Sequence, residues 1–127
     1  MTFSPADHAG ILLRDGGVCA MAGADSCDGA PATQVNHRLN RGMGGGGLDT
    51  LANGCAIGAV CNGLLEADDA FAEEGQRRGV KLRHGDDPEI VPMWSPFFRL
   101  WVRLLGGGLY LTGLTDPTLN ARQMEMV

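Results

Sequence analysis

The run Gly42-Met43-Gly44-Gly45-Gly46-Gly47 constrains this chain more than any other stretch. Glycine forfeits more backbone entropy on ordering than any other residue, so such a run reads as an open loop rather than a regular element. Regular structure must then be built from the segments on either side. The loop could be taken for a phosphate cradle, but it lacks a Gly-Lys-Ser/Thr ending and opens no helix, so a P-loop is a poor reading.

Before the loop, residues 1–13 form a short helical lead and Arg14-Asp15-Gly16-Gly17 a turn. Val18 to Met21 starts a strand, small residues fill a loop from Ala22 to Pro31, and Ala32 to Val35 is a second strand ending at Asn36-His37. Together these predict a hairpin. After the loop, Leu64, Leu65, Ala67, Phe71 and Ala72 recur at helical spacing, which predicts one helix from Cys61 to Gly79. Arg77-Arg78 at its end and Gly79 beyond suit the helix dipole and a glycine C-cap. A turn at His84 to Pro88 and an extended segment from Ile90 to Pro96 follow. Leu100 to Leu105, Gly106-Gly107-Gly108 and Leu109 to Thr112 predict a β-hairpin. The tail from Thr115 to Val127 carries at most a short helical turn. The aromatic group Trp94, Phe97, Phe98, Trp101 and Tyr110 is expected in the core.

A chain of 127 residues suffices for one domain with an appended sub-domain, and so thin a core would gain from a metal or disulfides. No apolar run reaches the roughly eighteen residues of a membrane span. The N-terminus lacks the charged and apolar regions of a secretory signal, so a cytoplasmic protein is expected. The net charge of -5 has the wrong sign for holding DNA by bulk electrostatics, so any nucleic-acid contact must be local. Arg38 and Arg41, on the loop after His37, are candidate phosphate contacts. Arg77, Arg78, Lys81 and Arg83 form a second basic group, for which a solvated face is the better reading.

Residues able to do chemistry fall in the order Asn36-His37-Arg38, Asn53, Cys61-Asn62 and Glu66. Adjacent on a strand, Asn36 and His37 point to opposite faces, so one can serve a metal while the other reaches the substrate side. Four apart on a helix, Asn62 and Glu66 are neighbours and can share a cation. A hard cation such as magnesium prefers oxygen ligands and keeps several waters, leaving room for a phosphate oxygen. His37 could then deprotonate an attacking water, which amounts to metal-assisted phosphodiester hydrolysis. The plain alternatives are turn residues at Asn36 and Asn53, a helix N-cap at Asn62 and a solvated acid at Glu66. His8 and His84 have no supporting company.

This order resembles the HNH endonucleases, whose core is a ββα-metal (His-Me finger) fold. The closer likeness is to short HNH proteins of phages that infect actinobacteria. Those pair an Asn-His-Arg segment and an Arg-Gly-Met-Gly-Gly loop, here Arg41 to Gly45, with a Cys-Asn helix start and a Leu-Glu-x-Asp continuation, here Leu65 to Asp68. The likeness covers about residues 12–83. It implies an α+β fold with a ββα-metal core over residues 1–83, and a C-terminal extension over 84–127 whose β-hairpin packs on or beside it. By position it implies His37 as general base, Asn53 as the residue bracing the loop that orients the base, and Asn36, Asn62 and Glu66 as metal ligands. It further implies DNA as substrate, magnesium or manganese as cofactor, and phage packaging (terminase) proteins as partners. Two of the three ligands are neutral amides where relatives usually carry charged or imidazole groups. The alternative is therefore a non-catalytic nucleic-acid- or protein-binding module that keeps the scaffold.

Many relatives also fix the fold with zinc held by two Cys-x-x-Cys knuckles. In this sequence the position three after Cys19 is Ala22 and the position three before Cys61 is Gly58, so each knuckle is half missing. Cys27 and Cys55 could join Cys19 and Cys61 in a four-cysteine structural zinc site, which needs tetrahedral sulfur ligands rather than one spacing. A Cys19–Cys61 disulfide is the other use of the pair, disfavoured in a reducing cytosol, and free cysteines are the third.

Overall fold

The protein was analysed as a computed structural model that describes residues 3–40, 48–106 and 108–127. Arg41 and the glycine run at 42–47 lie outside the described residues. The chain is a mixed α+β structure with two small antiparallel sheets.

Helix α1 (Pro5–Arg14) starts where the Ser4 hydroxyl accepts from the Asp7 N–H and Pro5 presets its φ. Its far end is tied to the first sheet. Arg14 donates to the carbonyls of Leu51 and Gly54, and Asp15 accepts the Ala56 N–H at 2.9 Å. In that sheet β1 (Gln34–His37) pairs with β2 (Gly54–Ile57), so that Asn36 faces Cys55 and His37 faces Gly54 across the ladder. A one-turn 3-10 helix at Leu51–Asn53 leads into β2.

The expected partner strand at Val18 to Met21 is not a strand. Gly16 and Gly17 both take left-handed φ angles, 72° and 70°, which reverse the chain and send this segment into turns. It meets β2 through one bond, from Ala20 N–H to the Ala56 carbonyl at 2.9 Å. With Asp15 and Ala20 both bonded to Ala56, the outer edge of β2 is covered without a third strand.

Helix α2 (Ala59–Ala67) begins at an N-cap of Gly58, not at Asn62. The single helix expected from Cys61 to Gly79 is in fact two. Asp68 drops to φ -125° and ψ 116°, and its carboxylate accepts the Phe71 N–H at 2.9 Å to start α3 (Asp69–Arg78). Local capping by a short acid has outcompeted helix continuation. Gly79 ends α3 at φ 74°, as a glycine C-cap should.

The second sheet has the order β3 (Met93–Ser95), β4 (Leu100–Leu105), β5 (Gly108–Gly113), with the anticipated hairpin as its last two strands. A single turn, α4 (Ala121–Met124), closes the chain with an Asn120/Gln123 capping box. The two sheets share one apolar cluster: Met21, Ile57 and Leu65 lie in it with Met93, Val102 and Leu104. The aromatic group divides. Trp101 is fully buried, whereas Phe97, Phe98 and Tyr110 are exposed, Tyr110 on the outer strand β5.

Arg38 corrects a second expectation. It is 0% exposed, and Nε, Nη1 and Nη2 donate to the carbonyls of Gly79, Ala52, Pro88 and Val91 at 2.7–2.9 Å. A guanidinium so occupied is unavailable to phosphate. Burial lowers its pKa to about 10, which still leaves it a cation at neutral pH.

Gly79 sits where these ties meet. A Cβ on it would stand 2.0 Å from the Pro92 carbonyl oxygen, and its φ is already left-handed. Gly79→Ala should therefore cost about 2 kcal/mol or more, read as a lower urea midpoint with an unchanged slope. A midpoint equal to wild type would show that the chain here can give way freely.

Candidate functional site

His37 ends β1 on the sheet face that carries α1, and its ring stacks on Phe3 with centroids 4.5 Å apart. Gly54, opposite it, makes room for that packing: a Cβ there would lie 2.5 Å from Ile11 Cδ1 and 3.0 Å from Phe3 Cζ. Nε2 of His37 lies 2.7 Å from Asp49 Oδ1, with both side chains partly open to solvent. An ionised carboxylate only accepts, so Nε2 carries the proton and Nδ1 keeps the lone pair.

The sequence reading missed Asp49. The signal was present, because Asp49 is the one acid between Asp28 and Glu66 and stands two residues after the glycine run. Both ends of that loop are held by Asn53. Its buried amide accepts the Leu39 N–H at 2.8 Å and donates to the carbonyls of Leu39 and Leu48, next to Asp49 in the chain. Asn53 is thus a bracing residue behind the His37–Asp49 pair.

Asn36, Asn62 and Glu66 belong to the opposite face, where α2 packs on β1. Each is drawn to a different partner. Asn36 is buried and its Nδ2 donates to the Val80 carbonyl at 2.9 Å, with a longer contact of 3.6 Å to Cys55 Sγ. Asn62 Nδ2 donates to Gln34 Oε1 at 2.8 Å. Glu66, 63% exposed, accepts from Asn40 at 3.4 Å and has Lys81 Nζ at 3.7 Å. In both asparagines the nitrogen is the tied atom. Oxygen donors with a single carboxylate suit a weakly held hard cation.

Of the remaining candidate cations, Arg41 is outside the described residues. Arg78 is buried, donating to the Ala20 and Ala22 carbonyls and pairing with Glu74 at 2.9 Å; Arg77 also pairs with Glu74. Together the two arginines hold the Glu74 carboxyl below its usual range against the opposing effect of burial.

The cysteines form the tightest cluster of potential ligands. Cys19, in the turns after α1, Cys27, in the following loop, and Cys61, in the first turn of α2, have sulfurs within 4.8 Å of one another. Three cysteines are thus close enough to bind a metal ion. All are free thiols. The Gly29 N–H donates to Cys27 Sγ at 3.4 Å. Burial, and then hydrogen bonding with Cys27 and proximity to Cys19, raises the pKa of Cys61 in the absence of metal. Cys55, expected as the fourth member, is elsewhere: it lies on β2 beside Asn36, with its thiol pushed up to about 12, mainly by burial. The β1–β2 register fixes it there. No protein-family model, curated protein or solved structure matches this chain.

The brace at Asn53 has a measurable consequence. Asn53→Ala leaves one buried N–H and two carbonyls without their partner, which should cost about 2–3 kcal/mol by urea unfolding. A loss below about 0.5 kcal/mol would mean that the loop ends are held by something else.

Proposed function

We propose that this chain is a metal-dependent DNA endonuclease of the HNH type, acting on phosphodiester bonds. The observation that carries the reading is the His37–Asp49 pair at 2.7 Å, placed at the end of a strand and braced from behind by Asn53. A strand pair followed by a helix, in the order β1, β2, α2, supports the ββα arrangement that such enzymes use. Asp49 holds the imidazole so that Nδ1 faces the reacting side and stabilises the imidazolium formed when His37 takes the proton of an attacking water. Asn36, Asn62 and Glu66 offer oxygen atoms on the other side of β1. Because these oxygens and His37 lie on opposite faces of β1, magnesium or manganese held there would polarise a phosphate that His37 also serves only where the substrate wraps the end of the strand. Arg38 contributes by fixing the end of β1 and not by touching DNA.

A separate structural zinc at Cys19, Cys27 and Cys61 fits the donor set, since thiolates are its preferred ligands. It would lock the loop after α1 to the start of α2. The same reading places the protein in the cytoplasm, as a phage-encoded product acting beside the packaging terminase. A second reading, a non-catalytic DNA- or protein-binding module, is favoured by the internal hydrogen bonds that already occupy Asn36, Asn62 and Arg38.

Supercoiled plasmid incubated with the protein and magnesium, manganese or EDTA separates the two. Cleavage should need the metal, fall about a hundredfold or more in His37→Ala, and fall less in Asp49→Asn and Glu66→Ala, with all variants folded by circular dichroism. Cleavage that survives His37→Ala would remove the base from the mechanism. No cleavage by wild type in any metal would favour the binding module.

A further inference from the structure

Gly58 caps the N-terminus of α2 and stands three residues before Cys61, the position a second cysteine takes in a Cys-x-x-Cys knuckle. In space it adjoins the same cluster. A Cβ built on Gly58 would lie 3.8 Å from Cys19 Sγ and 3.7 Å from the carbonyl oxygens of Ala30 and Pro31. Those are ordinary contacts, and the backbone there, φ -77° and ψ 155°, suits any residue. Space therefore exists for a small side chain beside Cys19 Sγ, at the edge of the sulfur cluster, and the chain puts only a hydrogen atom there.

The chain supplies no substitute among its usual ligand residues. Among the described residues the cluster holds Cys19, Cys27 and Cys61 and no other His, Cys, Asp or Glu. The residues outside the description contain none of these four types. Cys55 is committed to β2 and to Asn36. Zinc is almost always four-coordinate, and where the protein gives three ligands the fourth position is taken by water or another exchangeable group. The surroundings favour a neutral donor. Two carbonyl oxygens flank the position, and they would accept the protons of a bound water while disfavouring an anion.

We propose that Cys19, Cys27 and Cys61 form a three-thiolate zinc centre whose fourth position, beside Gly58, is open and holds an exchangeable water. The proposal rests on the zinc reading of these cysteines and not on nuclease activity. Loading the site releases three thiol protons and leaves a Zn(S)3 unit able to exchange its fourth ligand for a small neutral donor such as imidazole.

Cobalt(II) in place of zinc makes this visible in the full-length chain, because thiolate-to-cobalt charge transfer counts sulfurs and the d–d bands report the fourth ligand. Wild type should bind one cobalt with thiolate absorption, and added imidazole should shift its d–d bands. Gly58→Cys should raise the charge-transfer intensity by roughly one third, as four thiolates replace three, abolish the imidazole response, and hold zinc about tenfold or more tightly against a chelator. Gly58→Ala should keep the three-thiolate intensity and serves as a folding control. Cobalt with thiolate absorption but no imidazole response in wild type would overturn the open position while leaving the metal site intact. No thiolate absorption at all in reduced wild type would overturn both. The imidazole response of wild type decides the matter even if Gly58→Cys fails to fold.

Discussion

Arg38 leaves β1 with its guanidinium wholly covered, and four of its five N–H bonds end on backbone carbonyls from three separate stretches of chain. Burying a charge without satisfying it is among the costliest acts in folding. Here the carbonyl dipoles of Ala52, Gly79, Pro88 and Val91 do the satisfying, which forces the turn before β2, the end of α3 and the segment leading to β3 to converge on one point. The Leu82 N–H adds a bond to the Arg38 carbonyl at 2.8 Å, and Gln123 holds Pro92 from the other side. Removing the guanidinium would leave four carbonyls and a cavity at once. The C-terminal sheet is therefore coupled to the strand that carries His37, and the two fold on a shared core.

Much of the secondary structure was legible because its signals are local. Gly79 after Arg77-Arg78 marks a helix end by the conformation only glycine takes easily, and the apolar run at Leu100 to Leu105 followed by glycines marks a hairpin. The misreadings have a common cause. Asp68 fits the charged face of a helix as well as it fits a cap, and only the backbone shows that it caps. Val18 to Met21 has strand-like composition, but Asp15 and Ala20 take the bonds of Ala56 that a third strand would have used. Competition for one backbone group is decided in three dimensions.

The candidate site divides along the same line. Asn53 was legible as a brace of the loop and His37 as the end of a strand, since both follow from order along the chain. Asp49 was not, because its role depends on the loop returning to within hydrogen-bond distance of the strand it left. Arg38 was misread for a related reason: its neighbour is His37, and proximity in sequence suggested a shared ligand, whereas just past the end of β1 its side chain turns into the core. The cysteines show what spacing can and cannot do. Three of four come together without a standard knuckle, while Cys55 is carried away by its register with Asn36.

The result is a scaffold fastened at two points of different chemistry. On one side Arg38 gathers carbonyls and works at any redox state. On the other, Cys19, Cys27 and Cys61 join the loop after α1 to the start of α2, and Arg78 reinforces that loop through the Ala20 and Ala22 carbonyls. The His37–Asp49 pair depends on the first fastening, because Asn53 and β1 both border Arg38 through Ala52 and the strand itself. The α2 side chains Asn62 and Glu66 depend on the second, because Cys61 begins the turn that carries them. Oxidising the cysteines should thus disturb Asn62 and Glu66 before it disturbs His37. A change at Arg38 should do the reverse, since it loosens the strand on which His37 is mounted.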